Sequence, residues 1–215
     1  MNIILGGTHG LGLEITNYLQ SEGKLTFVIG RTYDEARHGM GMQADVSSRD
    51  DIKRIQDSIE SHDIDGFFWV AGYGYVGDFS EQEDSLKMSE VNFSNIIPIA
   101  QVAWRKLLKR DNSKFVVISS TTGSKARSNE AVYAATKHAQ VGFARSLGLE
   151  SERLMSPIKV SLFLPGGMQT PFWDGSRPDV FDSFLDPVKV ASEVITDINN
   201  QTTPYYERTI DRGSL

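Results

Sequence analysis

A tyrosine and a lysine four residues apart, Tyr133 and Lys137, are the residues of this sequence best placed to do chemistry. On a helix such residues share one face, with their Cβ atoms about 5–6 Å apart. An ammonium that close favours the phenolate, so we expect Lys137 to lower the pKa of Tyr133 towards the range in which a phenol donates and accepts protons. The alternative is two solvated residues on an exposed helix face.

A serine pair, Ser119-Ser120, ends an apolar run that begins at Lys114. In an α/β sheet the carboxyl ends of the strands face the ligand crevice. Ser120 is therefore expected beside the helix that carries Tyr133, although thirteen residues of sequence separate them.

A glycine cluster, Gly6, Gly10 and Gly12, follows the first apolar run directly. Glycines there let the backbone turn tightly and approach a pyrophosphate at a helix N-terminus, where free N–H groups and the helix dipole favour anions. The spacing is G-x-x-x-G-x-G rather than G-x-G-x-x-G, and we predict a dinucleotide site rather than a plain turn. Its candidate contacts are Gly6, Thr8, His9, Gly10, Leu11 and Gly12.

The tip of the second apolar run carries Arg31, with no Asp or Glu between residues 25 and 33. An acid at this place suits a ribose 2′-hydroxyl and an arginine suits a 2′-phosphate. Since His9 adds partial positive charge, we favour NADP(H), with NAD(H) as the alternative. Asp45, next to Val46, could accept from the adenine amino group, or it could simply cap a helix.

The elements that must position these residues alternate between short apolar runs and longer amphipathic stretches, the pattern of βαβ units with a parallel sheet. One run, 66–71, is apolar without alternation, as a strand covered on both faces should be. Strands are expected at 2–5, 25–29, 40–43, 66–71, 114–119, 159–164 and, more weakly, 207–210. Helices are expected at 11–22, 49–61, 83–110, 131–153 and 187–199.

A long irregular stretch, 165–186, contains glycine, proline and four aromatic residues. A loop of that length in a compact domain is often an active-site lid, so we expect it to cover the substrate. A surface excursion is the alternative.

Composition narrows the class of protein. The 215 residues fit one large domain, 1–215, and carry a net charge of −6, which argues against nucleic acid or anionic membrane as a partner. No cysteine is present, so thiolate catalysis and cysteine-bound metals are excluded. The four histidines lack zinc-type spacing and are expected at the surface or at helix caps, so no metal is expected. With no secretory signal or membrane span in the sequence, a soluble cytoplasmic protein is expected.

Taken together, the motifs identify a resemblance to the short-chain dehydrogenase/reductase family, in its compact single-domain form. The matching elements, in the family's order from residue 2 to about 170, are Gly6-x3-Gly10-x-Gly12, Asp45, Ala71-Gly72, Asn92, Ser120, Tyr133-x3-Lys137 and Pro165-Gly166-x3-Thr170. The resemblance implies an α/β fold: a Rossmann-type doubly wound parallel sheet of order 3-2-1-4-5-6-7 with helices on both faces.

The resemblance also implies a role for each matched residue. Tyr133 would be the general acid in carbonyl reduction and the base in the reverse oxidation. Lys137 would lower the pKa of Tyr133 and hold the nicotinamide ribose, and Ser120 would orient the substrate oxygen. Asn92 would bind a water that connects Lys137 to solvent, and Thr170 would hold the carboxamide. Ala71, Gly72, Pro165 and Gly166 would complete the cofactor site.

Two departures from the family pattern stand out. Trp69-Val70 replaces a common Asn-Asn pair, which puts in doubt hydrogen bonds between the fourth strand and its neighbours. The segment between Arg31 and Met40 is too short for a full crossover helix.

The substrate is expected to be a small carbonyl compound or alcohol. Tyr73, Tyr75, Phe79 and Trp173 could wall an apolar pocket, and Lys125 with Arg127 could attract an anionic substrate or simply be solvated. One rival function is a non-catalytic nucleotide-binding redox sensor. The other is a nucleotide-sugar epimerase or dehydratase, which needs a larger C-terminal substrate domain than the residues after Thr170 allow. The resemblance also implies that the helices at 83–110 and 131–153 form the subunit interface, so a homodimer or homotetramer is expected.

Overall fold

Seven strands, all parallel, form one sheet in the order β3-β2-β1-β4-β5-β6-β7. The computed structural model describes residues 1–174 and 177–214. The strands are β1 Asn2–Leu5, β2 Thr26–Gly30, β3 Gly41–Gln43, β4 Gly66–Trp69, β5 Lys114–Ile118, β6 Lys159–Pro165 and β7 Tyr205–Ile210. The predicted Rossmann-type order is therefore confirmed. The order reverses between β1 and β4, and in such sheets ligands bind at that switch point.

Helices cover both faces of the sheet, as predicted for a doubly wound fold. The α-helices are α1 Gly10–Ser21, α2 Glu35–His38, α3 Arg49–Ser61, α4 Ser85–Ser89, α5 Ile97–Leu107, α6 Ala131–Arg153 and α7 Pro187–Asn200. Because side chains alternate along a strand, Ile3 and Leu5 pack in one core with α3, α5 and α6, whereas Ile4 packs in the other with α1 and α7.

Local capping chemistry sets where several helices begin. The Ser48 side chain accepts from the backbone N–H of Asp51 at the start of α3, and the Asp186 side chain accepts from Val188 at the start of α7. Pro187 occupies the first turn of α7, where its missing N–H costs nothing. Between β2 and β3 the chain forms only the single turn α2, which confirms that no full crossover helix fits there.

The helix predicted over 83–110 is wrong as one continuous α-helix. The chain forms α4, then a π-helical turn at Glu90–Ser94, then α5. In the π turn the Asn95 N–H donates to Glu90 O, five residues back, and the Ile96 N–H donates to Phe93 O instead of to Asn92 O. The next turn holds Pro98, which has no N–H to restore the α-helical ladder. Such turns are frequent at functional sites.

Two strands, β4 and β7, differ from their predicted bounds by more than one residue. β4 ends at Trp69 rather than at residue 71, because the N–H groups of Val70 and Ala71 both donate to Leu5 O as the chain turns over the first strand. β7 is longer than predicted: it begins at Tyr205 and pairs with β6 up to Pro165 opposite Ile210. A contiguous β6–β7 ladder with no gap supports both strands.

The segment 165–186 is built from short turns. It contains 3-10 turns at Pro171–Trp173 and Phe181–Ser183 and an isolated bridge between Met168 and Leu185. Residues 175 and 176 of the predicted lid lie outside the described residues. Within the described ranges, no helix has the length and apolar character needed to cross a membrane.

Candidate active site

A single crevice of about 1210 Å³ runs along the carboxyl ends of the strands. Its walls include every predicted cofactor contact: Gly6, Thr8, His9, Gly10, Leu11, Gly12, Arg31, Asp45, Val46, Ala71, Gly72, Tyr133, Lys137, Pro165, Gly166 and Thr170. Ser120 lines it as well, whereas Asn92 lies buried behind the wall. The fold therefore gathers residues that are up to 164 positions apart in the sequence into one cavity.

The glycine loop between β1 and α1 is shaped by two close backbone approaches. Gly6 has φ +90°, and a Cβ there would lie 2.5 Å from the Ala71 nitrogen. At Gly12 a Cβ would lie 2.1 Å from the Gly6 carbonyl oxygen. Only glycine fits at both positions. The loop thus presses α1 against β1 and leaves the N-terminal N–H groups of α1 facing the crevice, where they can bind an anion.

Thr170 reaches this loop from the opposite wall. A Cβ built on Gly10 would lie 3.2 Å from the Thr170 side chain, so the predicted carboxamide-binding residue touches the glycine loop. Gly166 is held at the end of β6 by its N–H bond to Ile210 O. The segment after β6 therefore contacts the glycine loop at Thr170.

Basic groups cluster where β2 ends. Burial and the neighbouring charges of Arg37, His38 and Arg31 lower the pKa of His9. The His9 ring nitrogen Nδ1 lies 3.0 Å from the Thr32 hydroxyl and 3.2 Å from that of Thr8. The positive charge of Arg31 and Arg37, which helps to lower the His9 pKa, suits a phosphate. Sequence reasoning missed Arg37, whose place on α2 was not predicted.

His38 is not a surface or cap residue as expected, since it is 1% exposed. Its Nδ1 lies 3.0 Å from the Asp34 nitrogen and 2.9 Å from the Asp34 carbonyl oxygen, and its Nε2 lies 3.3 Å from Thr8 O. His38 thus ties the turn α2 to the glycine loop.

Asp45 does not cap α3, because Ser48 takes that role. Its side chain accepts from the Ser47 N–H, and its own N–H donates to the Asp51 carboxylate. These bonds fix the turn after β3 at the crevice wall. The second Asp45 carboxylate oxygen stays available as an acceptor.

Ser120, Tyr133 and Lys137 meet at the other end of the crevice. Ser120 follows β5 and starts the 3-10 turn Thr121–Gly123, accepting from the Thr122 N–H at 3.2 Å. Tyr133 and Lys137 lie on one face of α6, with the Lys137 Nζ 5.7 Å from the centre of the Tyr133 ring. The spacing argument thus predicted the shared helix face correctly.

The pKa of Tyr133 moves in the direction opposite to the prediction. Burial raises it to about 12; a hydrogen bond from Ser120 opposes the shift, Glu130 adds to it, and Arg127 opposes it. Burial comes partly from Phe172, whose ring centre lies 5.7 Å from that of Tyr133. A buried phenol resists ionisation because the phenolate loses its hydration.

Lys137 explains why the expected lowering is missing. Burial lowers its own pKa to about 7, so near neutral pH much of the side chain carries no charge to stabilise a phenolate. Its Nζ donates to Ile118 O at 3.3 Å and to Gln140 Oε1 at 3.0 Å. These two acceptors are neutral, so neither offsets the burial with a negative charge.

Asn92 lies in the π-helical turn and is fully buried. Its side chain accepts from the Tyr73 N–H at 2.9 Å and donates to Tyr73 O at 2.8 Å and to Thr136 Oγ1 at 3.1 Å. Its carbonyl accepts from Gln140 Nε2 at 3.0 Å. Sequence analysis missed Gln140, although its place one turn after Lys137 was a signal available in the sequence.

The substrate end has mixed walls. Tyr73, Tyr75, Phe172 and Trp173 line it, and so do the cations Lys125 and Arg127. Phe79 does not: it is 64% exposed and lies outside the crevice, so its predicted role is wrong.

Aromatic packing replaces the missing asparagine pair at the fourth strand. Trp69 is fully buried and packs against Phe93 and Phe143, with ring centres 6.1 and 5.8 Å apart. Its indole N–H has no hydrogen-bond partner among the described residues. The strand is therefore held to its neighbours by packing and by the backbone ladder rather than by side-chain amides.

Comparison with known proteins places this fold and site in a family. The family model described as short chain dehydrogenase matches residues 1–180. The chain belongs to the short-chain dehydrogenase/reductase family, and the prediction of an oxidoreductase that acts on C=O and CH–OH groups is confirmed.

Individual relatives agree with that assignment. The 3-oxoacyl-acyl-carrier-protein reductase MabA of Mycobacterium tuberculosis is 26% identical over 172 residues, which cover 78% of this chain and 69% of that protein. Carbonyl reductase family member 4 of Xenopus laevis is 22% identical, over 89% of this chain and 88% of its own length. A variant of actinorhodin polyketide ketoreductase, solved with NADPH, superposes with a TM-score of 0.82 at 24% identity, covering 99% of this chain and 96% of that one.

Proposed function

We propose that this protein is an NADP(H)-dependent reductase that converts a ketone or aldehyde to an alcohol, or catalyses the reverse reaction, with Tyr133 as general acid and base. The observation that carries the proposal is that Ser120, Tyr133 and Lys137 line the same end of the crevice, with the Lys137 Nζ 5.7 Å from the centre of the Tyr133 ring. Two hydroxyls that meet at one point can together bind a single carbonyl oxygen. The names of relatives that reduce ketoacyl and carbonyl compounds support ketone reduction.

The residues that line the crevice fit a bound dinucleotide. The glycine loop would hold the pyrophosphate, Asp45 and Val46 would face the adenine, and Lys137 and Thr170 would hold the nicotinamide half. When bound, the nicotinamide supplies or takes the hydride. At 1210 Å³ the crevice exceeds the roughly 300–1,000 Å³ of ordinary ligand pockets, so substrate and dinucleotide both have room.

Tyr133 and Ser120 divide the work at the substrate oxygen. In reduction Tyr133 donates its proton to that oxygen, and a phenol with a raised pKa keeps this proton until it is needed. Ser120 donates a second hydrogen bond and fixes the orientation of the carbonyl. Phe172 covers the Tyr133 ring and would exclude water from the reacting atoms.

The positive charge of Arg31 and Arg37, both close enough to His9 to lower its pKa, favours NADP(H) over NAD(H), because Arg31 lines the crevice where a 2′-phosphate would bind. Arg31→Asp is expected to shift the ratio of the NADPH and NADH dissociation constants towards NADH by at least about tenfold, the loss of one charge-assisted contact. Arg105→Asp, on the exposed face of α5, is the matched control and should leave the ratio unchanged. An unchanged ratio in Arg31→Asp would remove Arg31 as the discriminating residue.

The catalytic proposal is tested by following NADPH oxidation against a panel of ketones, aldehydes and ketoacyl thioesters. Tyr133→Phe should lower kcat by roughly 10²–10⁴, the usual contribution of acid/base catalysis, and leave the NADPH dissociation constant nearly unchanged. Tyr75→Phe, a phenol in the same crevice, should keep most of kcat. NADPH binding without turnover of any compound would favour the redox-sensor alternative.

We also propose a homo-oligomer built on α4 and α6. Leu86 on α4 is 80% exposed and Leu149 on α6 is 69% exposed, so both are available for apolar contacts at such an interface. Light scattering should show a dimer or tetramer for the wild type. Leu149→Asp should dissociate this oligomer. Leu25→Asp is the control, because Leu25 is 67% exposed before β2, and it should leave the oligomer intact. A monomeric wild-type protein would rule this out. Cytoplasmic location stays a prediction.

A further inference from the structure

A line of buried hydrogen bonds joins Lys137 to Asn92 through a side chain that the catalytic motifs do not include. Lys137 Nζ donates to Gln140 Oε1 at 3.0 Å, and Gln140 Nε2 donates to the Asn92 carbonyl at 3.0 Å. Gln140 and Asn92 are fully buried, and Lys137 is 5% exposed. One amide therefore spans the gap between the lysine and the asparagine.

The π-helical turn makes the Asn92 carbonyl available to this amide. In an α-helix the Ile96 N–H would occupy that carbonyl, but here it donates to Phe93 O. The Asn92 side chain is already engaged by Tyr73 and Thr136, so the carbonyl cannot move away. Gln140 therefore docks on an acceptor that is both free and fixed.

We propose that Gln140 is a positioning residue of the active site, and that its amide, rather than a water, links Asn92 to Lys137 and holds the lysine Nζ in place beside Tyr133. The proposal rests on the proposed function, in which Lys137 works next to the general acid. A side-chain amide and a water differ chemically in this place. The amide is tethered and cannot exchange with solvent, so the lysine keeps one geometry.

The surroundings of Lys137 make Gln140 decisive for its charge state. The Lys137 Nζ lies next to groups from three elements. These are the Ile118 carbonyl on β5, Gln140 and the Tyr133 ring on α6, and the backbone at Gly72 in the loop after β4. Tyr133 is the titratable group among these, and burial is the cause that lowers the pKa of Lys137. Replacing the Gln140 amide by a different acceptor should therefore change the pKa of Lys137 directly.

The test is an NMR titration of Lys137 in the full-length protein with labelled lysine side chains, assigned by the signal lost in Lys137→Met. Gln140→Glu places a carboxylate at the amide position and should raise the pKa of Lys137 by about one to three units. Gln140→Met keeps the length but removes the acceptor, and should lower it. Gln201→Glu, at another buried glutamine that bonds Ser161, is the control and should not shift it.

An unchanged Lys137 titration in both Gln140 variants, each shown to be folded by circular dichroism, would overturn the proposal. The pH profile of kcat then separates the two levels of inference. If Gln140→Glu moves both the lysine titration and the kcat profile in the same direction, positioning and proposed function both hold. If the titration moves and the kcat profile does not, Gln140 still anchors Lys137, and the catalytic role of the lysine fails instead.

Discussion

Replacing Lys137 with methionine should change how stability depends on pH. Burial lowers the pKa of this lysine from 10.5 to about 7, so the folded protein binds its proton less readily than the unfolded chain does. Since each pKa unit corresponds to about 1.36 kcal/mol, keeping the ammonium charged in the folded state costs roughly 5 kcal/mol at low pH. Methionine has a similar length and no charge, and it removes that cost.

The sign follows from the two pKa values. Below about pH 7 both states of the wild type are protonated and the full cost applies. Between about pH 7 and 10.5 the unfolded chain still binds the proton and the folded protein does not, so wild-type stability rises with pH. The cost falls from about 4.5 kcal/mol near pH 6.5 to about 2 kcal/mol near pH 9.

The substitution also leaves Ile118 O and Gln140 Oε1 without a donor, a loss of about 1–3 kcal/mol for each acceptor. These acceptors do not titrate, so their loss shifts the stability of the variant equally at every pH. The difference in the free energy of unfolding, Lys137→Met minus wild type, should therefore fall by roughly 2.5 kcal/mol from about pH 6.5 to about pH 9.

Urea unfolding followed by tryptophan fluorescence at several pH values measures this difference, since three tryptophans report on the fold. Lys109→Met, at an exposed lysine whose ammonium stays in water in both states, is the control and should give a constant difference. A Lys137→Met difference that is constant with pH, or that grows, would refute the assignment of a buried lysine with a strongly lowered pKa.

Three further outcomes are expected. Gly6→Ala forces a Cβ to within 2.5 Å of the Ala71 nitrogen at φ +90°, so it should lower the melting temperature and weaken dinucleotide binding. Its matched control is Gly142→Ala on α6, where the new Cβ meets open space and should stabilise the protein by roughly 0.5–1 kcal/mol. Asp186→Ala removes the cap of α7 and should cost about 1 kcal/mol in urea unfolding. Ser120→Ala removes a hydroxyl that lowers the pKa of Tyr133, so the pH profile for alcohol oxidation should move to higher pH; a profile that stays in place would contradict that effect of Ser120.

The parts of the fold that sequence predicted are those set by local patterns. Strand positions, the order of the sheet and the glycine loop follow from apolar runs, glycine spacing and the family resemblance. The shared face of Tyr133 and Lys137 follows from helical periodicity alone.

The features that sequence analysis missed depend on distant partners. The π-helical turn leaves the Asn92 carbonyl free for Gln140, which lies 48 residues away. His38 is buried because the turn α2 folds back onto Thr8, thirty residues earlier. The direction of the Tyr133 pKa shift depends on burial under Phe172, and spacing between charged residues carries no information about burial.

The π-helical turn at Glu90–Ser94 also affects how this chain should be aligned with others. A π turn holds one more residue than an α turn while the helix continues, so an insertion is absorbed without a loop. Each added residue rotates the helix by about 100°, which turns the faces of α4 relative to those of α5. Where a relative is α-helical throughout, the one-residue gap therefore belongs within 90–94. A gap placed before Met88 would shift that buried residue out of register, and a gap placed after Ile96 would shift the buried Ile96.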